Sequence, residues 1–189
     1  MATVQPIRDK AKIEAMKKIL KAESPRNLLL FTFGLNVGLR ITDILNFKLS
    51  DILDKKGNIV DLIQLFEAKT GKHKRFPINK TVKKAIQSYL DSLESYNMDD
   101  YLFKSRQGDN KPLTRFMAYR ILNNAANQVG IEDMGTHSMR KTFGYFAYKA
   151  GTDITLLMDI FNHSSPQITL RYIGITQDQK DQVYINIEL

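Results

Sequence analysis

His137, Arg140, His163 and Tyr172 fall at set intervals in the last third of the chain, the tyrosine nine positions after the second histidine. Far upstream, Gly38-Leu39-Arg40 supplies a second arginine, and Lys69-Thr70-Gly71-Lys72 places a lysine on a turn. A phenol is a weak nucleophile at neutral pH, because its pKa is about 10. It becomes useful where cations and hydrogen bonds stabilise the phenolate and the charge of the transition state. Guanidinium groups present parallel donors to two phosphate oxygens and stay charged throughout a reaction. A histidine exchanges a proton near pH 7, and a lysine on a flexible turn can reach a departing oxygen and protonate it. Together these side chains fit the attack of a phenol on a phosphodiester, with cations holding the phosphate. No carboxylate cluster for metal binding accompanies them, so the set points to DNA strand breakage and rejoining without a metal.

Each residue alone has an ordinary explanation. Most tyrosines of a helical domain only pack, and seven others occur here. Arg40 reads equally as an arginine at the edge of a core, capped by Asp43, and the two histidines as members of a polar interior. Lys69 to Lys72 reads as a solvated hairpin tip; it is not a phosphate-binding P-loop, since no glycine-rich stretch precedes a helix. Zinc is disfavoured, because the remaining histidine, His73, lies on a basic turn and a third ligand is lacking.

Composition narrows the partner. Lys plus Arg number 28 against 20 Asp plus Glu, a formal charge of +8 that favours a polyanion through counterion release. Cysteine is absent, which removes disulfides, thiolate metal sites and cysteine nucleophiles from consideration. The N-terminus has no apolar signal-peptide core, and the longest apolar stretch, 28–39, is interrupted and too short to span a bilayer. A cytoplasmic protein is expected. With 189 residues, 43% of them hydrophobic, the chain fits one domain with a real core.

The elements that must position the candidate residues follow from periodicity. Residues 8–23 carry Ile13, Met16, Ile19 and Leu20 at helical spacing. Ser24-Pro25 reads as the cap and first residue of a buried helix reaching Gly38, followed by a short helix from Thr42. Segments 59–66 and 73–78 read as two strands around Gly71, and 50–53 as a short third strand. Helices are expected over 79–93, 114–129, 138–150 and 153–161, with Ser165-Pro166 opening a last turn that leads to Tyr172. The tail, 182–189, alternates apolar and polar residues like an edge strand.

In order and spacing, Arg40, Lys69, His137, Arg140, His163 and Tyr172 resemble the tyrosine recombinase (phage integrase) family, a resemblance covering 24–172. It implies an α+β, mainly helical, integrase-like catalytic domain with a small three-stranded antiparallel sheet. It implies one domain over 1–189, with an N-terminal helix within 1–23, a tail over 173–189, and no N-terminal core-binding domain. The activity implied is site-specific recombination through a 3′-phosphotyrosine link, needing no metal or cofactor. Tyr172 would be the nucleophile; Arg40, Arg140 and His163 would hold the phosphate; Lys69 would protonate the leaving 5′-oxygen; His137 would assist proton transfer; and Asp43 would support the site. The implied partners are double-stranded DNA, further copies of the chain in a tetrameric synapse, and an accessory DNA-binding protein. The implied setting is the bacterial nucleoid or a phage or mobile element. Two departures stand out: Lys141 replaces the usual histidine after the box arginine, and Asn162 replaces the usual glycine before the second histidine. Two alternatives stay open, a non-catalytic DNA-binding protein of this fold and a type IB topoisomerase-like relaxing enzyme. The tail strand is expected to dock on a neighbouring protomer.

Overall fold

The computed structural model describes residues 4–69, 71–132, 134–175 and 177–187, without the side chains of 177–180. Its organising element is helix α2 (Pro25–Val37), which follows α1 (Lys10–Glu23) with Pro25 at its first position, as the Ser24-Pro25 signal requires. Apolar residues surround α2 on all sides, and Leu29, Leu30, Phe31 and Phe33 are completely buried. Each such side chain contributes about 1.5–3 kcal/mol of burial. Helix α1, α4 (Lys80–Leu90) and α6 (Ser138–Lys149) pack against it. Gly34 makes the last of these contacts possible: a Cβ there would collide with Met139.

Helix α2 stops at Gly38, whose φ of 62° is the left-handed conformation glycine adopts without a Cβ penalty. The chain then turns into α3 (Ile41–Leu45). Strands β1 (Leu62–Phe66) and β2 (His73–Pro77) pair antiparallel with Phe66 opposite His73, so the intervening turn projects from the end of the sheet nearest α3's Asp43. Helix α5 (Arg115–Gln128) is capped by the Thr114 side chain. After α6, α7 (Ile154–Phe161) and α8 (Pro166–Tyr172) form a hairpin with its own small core of Tyr145, Leu157, Phe161, Ile173 and Ile175.

Two expectations are corrected. The sheet has two strands, not three: Leu49–Asp51 form one turn of 3-10 helix, and Leu53 makes only an isolated bridge to Ile59. Leu49, Ile52 and Leu53 are buried at helical spacing, and the Asp51 carboxylate accepts the Lys48 N–H at 2.8 Å, a cap that competes with strand pairing. The tail is helical, not extended: α9 covers Gln177–Asn186. A lone strand leaves its backbone groups to a neighbour, whereas a helix satisfies them internally, and the polar residues of 177–182 favour helix. Val183, Tyr184, Ile185 and Ile187 are all exposed; Glu188 and Leu189, part of the same expectation, lie outside the described residues.

Candidate active site

The corner between α2 and α3 delivers the first arginine. Leu39 is buried, which anchors the turn and carries Arg40 out at the N-cap of α3. Its Nη1 lies 2.8 Å from Oε1 of Glu67, which also receives Lys74 Nζ at 3.0 Å. Glu67 is 1% exposed, so its charge is balanced by two cations rather than by water. Asp43, also buried, accepts the Ala68 N–H at 2.9 Å. It therefore pins the backbone beside Lys69, while the acid that holds Arg40 is Glu67, a residue the sequence reading missed.

Arg140 comes from the first turn of α6 and is 3% exposed. Its Nη1 donates to the Gly38 carbonyl at 2.6 Å and its Nη2 to the Phe161 carbonyl at 3.0 Å, while its guanidinium carbon lies 4.7 Å from the centre of the Phe161 ring. Its charge also acts on the nearby Tyr172 phenol. The close approach of α6 to the end of α2 thus joins the two arginine segments, 102 residues apart.

The α7–α8 hairpin carries the second histidine and the tyrosine. Asn162 ends α7 at a φ of 55°, the left-handed position where asparagine is the best substitute for glycine. His163 follows, with Nδ1 3.1 Å from the hydroxyl of the fully buried Thr169, so Nε2 is the ring nitrogen left for a ligand. The imidazole stands edge-on to Tyr172, ring centres 5.0 Å apart, and Phe161 packs against both rings. Burial pushes the Tyr172 phenol above its ordinary range, opposed by the charge and hydrogen bond of Arg140 and by Arg40. Burial, with Arg140 and Arg40 adding to it, lowers the His163 pKa.

His137 sits at the N-cap of α6, one turn before Arg140 and open to solvent. Burial of part of its ring lowers its pKa, followed by the charges of Arg115, Arg140, Lys141 and Arg40. It shares a cleft of about 390 Å³ with Arg40, Lys69 and Arg115. Arg40 therefore faces both groups: the cleft on one side, and Arg140, His163 and Tyr172 through its charge on the other. The five other expected residues gather around this one guanidinium.

The three hairpin lysines differ in their surroundings. Lys72 donates to the Asn162 side chain, and Lys74 to Glu67 and the Ile160 carbonyl. Lys69 is exposed on the cleft with no hydrogen-bond or ion-pair partner among the described residues; its neighbour Thr70, part of the expected turn, lies outside them. Besides Glu67, sequence reasoning missed Arg115, which lines the cleft beside His137. An acid directly after the apolar run 59–66 was the one available signal for Glu67; Arg115, at the start of an amphipathic helix, carried none.

The chain is similar in sequence and in fold to known proteins. The sequence model of the phage integrase family matches residues 9–179. The probable integrase/recombinase YoeC of Bacillus subtilis (strain 168) is 42% identical over 184 residues, 97% of each chain. The XerA recombinase structure superposes with a TM-score of 0.76 at 20% identity, covering 100% of this chain and 66% of that one. The XerH site-specific recombinase, in a post-cleavage complex with a palindromic difH substrate, superposes with a TM-score of 0.73 at 16% identity over 98% of this chain and 54% of XerH. The chain thus spans roughly half to two thirds of those two longer chains, and at such identities the likeness establishes the fold. By a family match over most of its sequence and a relative 42% identical over 97% of each chain, the chain belongs to the phage integrase family, the family of the tyrosine recombinases.

Proposed function

We propose that the chain cleaves and rejoins double-stranded DNA at a specific site through a 3′-phosphotyrosine intermediate on Tyr172. The observation that carries this reading is the seating of the Tyr172 ring against the His163 imidazole, ring centres 5.0 Å apart, with the charges of Arg140 and Arg40 acting on its phenol. A phenol so placed meets the phosphate where two cations already stand. Its oxygen attacks the phosphorus, the bond to the 5′-oxygen breaks, and that oxygen leaves with a proton from Lys69. Arg40, Arg140 and the free Nε2 of His163 hold the non-bridging oxygens as negative charge builds. His137, whose pKa is lowered by burial and the surrounding cations, takes up the proton released by the phenol. A 5′-hydroxyl from a partner strand then attacks the phosphotyrosine and restores both a phosphodiester and the phenol, so no ATP is needed. The guanidinium groups supply the charge stabilisation that a metal supplies in other phosphoryl transfers.

The net charge of +8 and the DNA-bound state of XerH support DNA as the substrate. Recombination requires two sites and several copies of the chain, which we propose assemble on DNA as a tetramer, with an accessory DNA-binding protein as a further partner. Helix α9 and the residue after it, with Val183, Tyr184, Ile185 and Ile187 exposed, form the surface proposed to dock on a neighbouring copy. A bacterial cytoplasm, or a phage or mobile element acting within one, is the setting that fits. The test is a nicked duplex carrying the target site, incubated with protein and a chelator. A denaturant-resistant protein–DNA adduct is the expected result, and its absence under conditions where the DNA is bound means a non-catalytic binding protein. Efficient relaxation of a plasmid without recombination between two sites means a topoisomerase-like activity instead.

A further inference from the structure

The first described residues, 4–8, lie across the back of the site and touch both elements that carry its chemistry. The Ile7 N–H donates to the Thr142 hydroxyl at 2.8 Å, and Ile7 itself is buried. The Lys141 ammonium donates to the Val4 carbonyl at 2.6 Å. Val4 also packs against Gly135, where an added Cβ would stand 2.9 Å from its Cγ2. These contacts tie the segment to the start of α6, beside His137 and Arg140. At its other end, Arg8 Nη2 donates to the Gly174 carbonyl at 2.9 Å, two residues after Tyr172, and its guanidinium lies over the Tyr145 ring. Gly174 has a φ of +75°, and a Cβ there would meet both Arg8 and Pro6.

Lys141 joins these contacts to the tyrosine. It is 8% exposed, and its ammonium stands 5.2 Å from the centre of the Tyr172 ring. A buried ammonium is costly unless its donors are used, and here the Val4 carbonyl and the ring face supply the surroundings that justify it. An ammonium over an aromatic face is attractive, the more so when desolvated. Phe161 and His163 already pack against the Tyr172 ring, and Lys141 adds a cation over the ring face.

We infer that Lys141 is a positioning residue for Tyr172, and that residues 4–8 form the strap that holds Lys141 in place and fixes the turn after the tyrosine through Arg8. This rests on the reading of Tyr172 as the nucleophile. The strap adds no group to the chemistry; it fixes the ring so that the phenol oxygen meets the phosphate in line. Misplacement of a reacting group by about 1 Å costs on the order of 100-fold in rate.

The test uses the full chain labelled with 13C-tyrosine, in which the Tyr172→Phe spectrum identifies the Tyr172 ring signal. Lys141→Met is expected to shift that signal and slow adduct formation at saturating DNA by about 10- to 100-fold, with the DNA concentration for half-saturation unchanged. Lys141→Arg, which keeps the cation and its donors, is expected to restore most of the rate. Arg8→Ala alters an exposed residue and leaves the core intact; it is expected to shift the same signal and give a smaller loss of rate. A wild-type rate in Lys141→Met, or a loss confined to DNA binding or melting temperature with the ring signal unmoved, overturns the inference. If Lys141→Met is too unstable to measure, Arg8→Ala and Lys141→Arg decide the question, and an unmoved ring signal with wild-type rate in Arg8→Ala overturns the strap. Adduct found on a tyrosine other than Tyr172 removes the nucleophile assignment, while the ring signal still decides whether the strap holds Tyr172.

Discussion

Arg140 and Lys69 both bring positive charge to the site, yet the protein holds them in opposite ways. Arg140 is buried, with two carbonyls on its donors and an aromatic ring beneath it. Lys69 stands exposed on a turn, with no partner among the described residues. The same contrast separates Arg40, anchored by Glu67, from His137, open at the cleft mouth. Groups that stabilise charge must be fixed before the reaction, because reorganising them during it forfeits their advantage. Groups that pass protons must follow an atom that moves. Under the proposed mechanism the floor is a set of guanidinium groups fixed by carbonyls and a buried acid, and the lip a set of solvated side chains.

The sharpest way to break this comparison is to loosen the floor while keeping its charge. Arg140→Lys preserves the cation but gives up the planar fork, and is expected to lower the rate of DNA cleavage by about 10³-fold. It also leaves a buried carbonyl without its donor, at about 1–3 kcal/mol of stability. Single-turnover cleavage and thermal unfolding on the same preparation measure both, and a variant that cleaves within a few-fold of the parent shows that a point charge suffices there.

At the lip, Lys69→Ala is expected to lower cleavage by roughly 10²–10³-fold, the range for loss of a general acid, with the melting temperature unchanged. A substrate whose leaving 5′-oxygen is replaced by sulfur should recover most of that loss, since a thiolate departs without a proton. Lys74→Ala should not be rescued by the same substrate, because Lys74 is bound to Glu67 and the Ile160 carbonyl. Rescue of Lys74→Ala, or equal unrescued defects in both, would reverse the assignment.

Glu67→Gln sharpens the contrast from the acid's side. Removing the charge between Arg40 and Lys74 is expected to cost about 3 kcal/mol, a fall in melting temperature of roughly 6–12 °C for a domain of this size. Cleavage should fall with it, because Arg40 loses its anchor. Thermal unfolding at one scan rate checks this, and an unchanged melting temperature means the buried acid is not holding the floor together.

The smallest expected effect is in pH. Burial and the surrounding arginines lower the pKa values of both His137 and His163 in the folded chain. The unfolded chain therefore binds more protons just below pH 6.5, the ordinary histidine value. Stability from this source is complete above that pH and declines as the pH falls toward the folded values. Ring-proton NMR should show both midpoints below 6.5; a midpoint above it for either histidine contradicts the electrostatics of the site.

Much of this site was legible in the chain because its six residues are tied to local signals. Gly38 before Arg40, the one-turn spacing of His137 and Arg140, and Ser165-Pro166 before Tyr172 each fix a backbone turn within a few residues. Glu67, Arg115 and the Lys141–Val4 contact were not legible, since each depends on elements far apart meeting in three dimensions. Lys141 was visible as a departure from the family pattern, yet nothing nearby in sequence shows that its partner is Val4, 137 residues away. The third strand and the extended tail failed for one reason. Short alternating or apolar runs fit a strand or a helix equally until it is known whether a sheet edge is within reach, and neither 50–53 nor 182–187 forms part of a sheet.

The central claim is that the Tyr172 oxygen becomes bonded to DNA phosphorus. The most direct measurement is peptide mapping, by mass spectrometry, of the adduct formed on a nicked substrate, beside the same reaction with Tyr172→Phe. Nucleotide attached to the peptide containing Tyr172, and no adduct from a Phe variant that still binds the DNA, is the predicted result. An adduct that persists in Tyr172→Phe, or maps to Tyr184 on the exposed C-terminal helix, would contradict the account at its root.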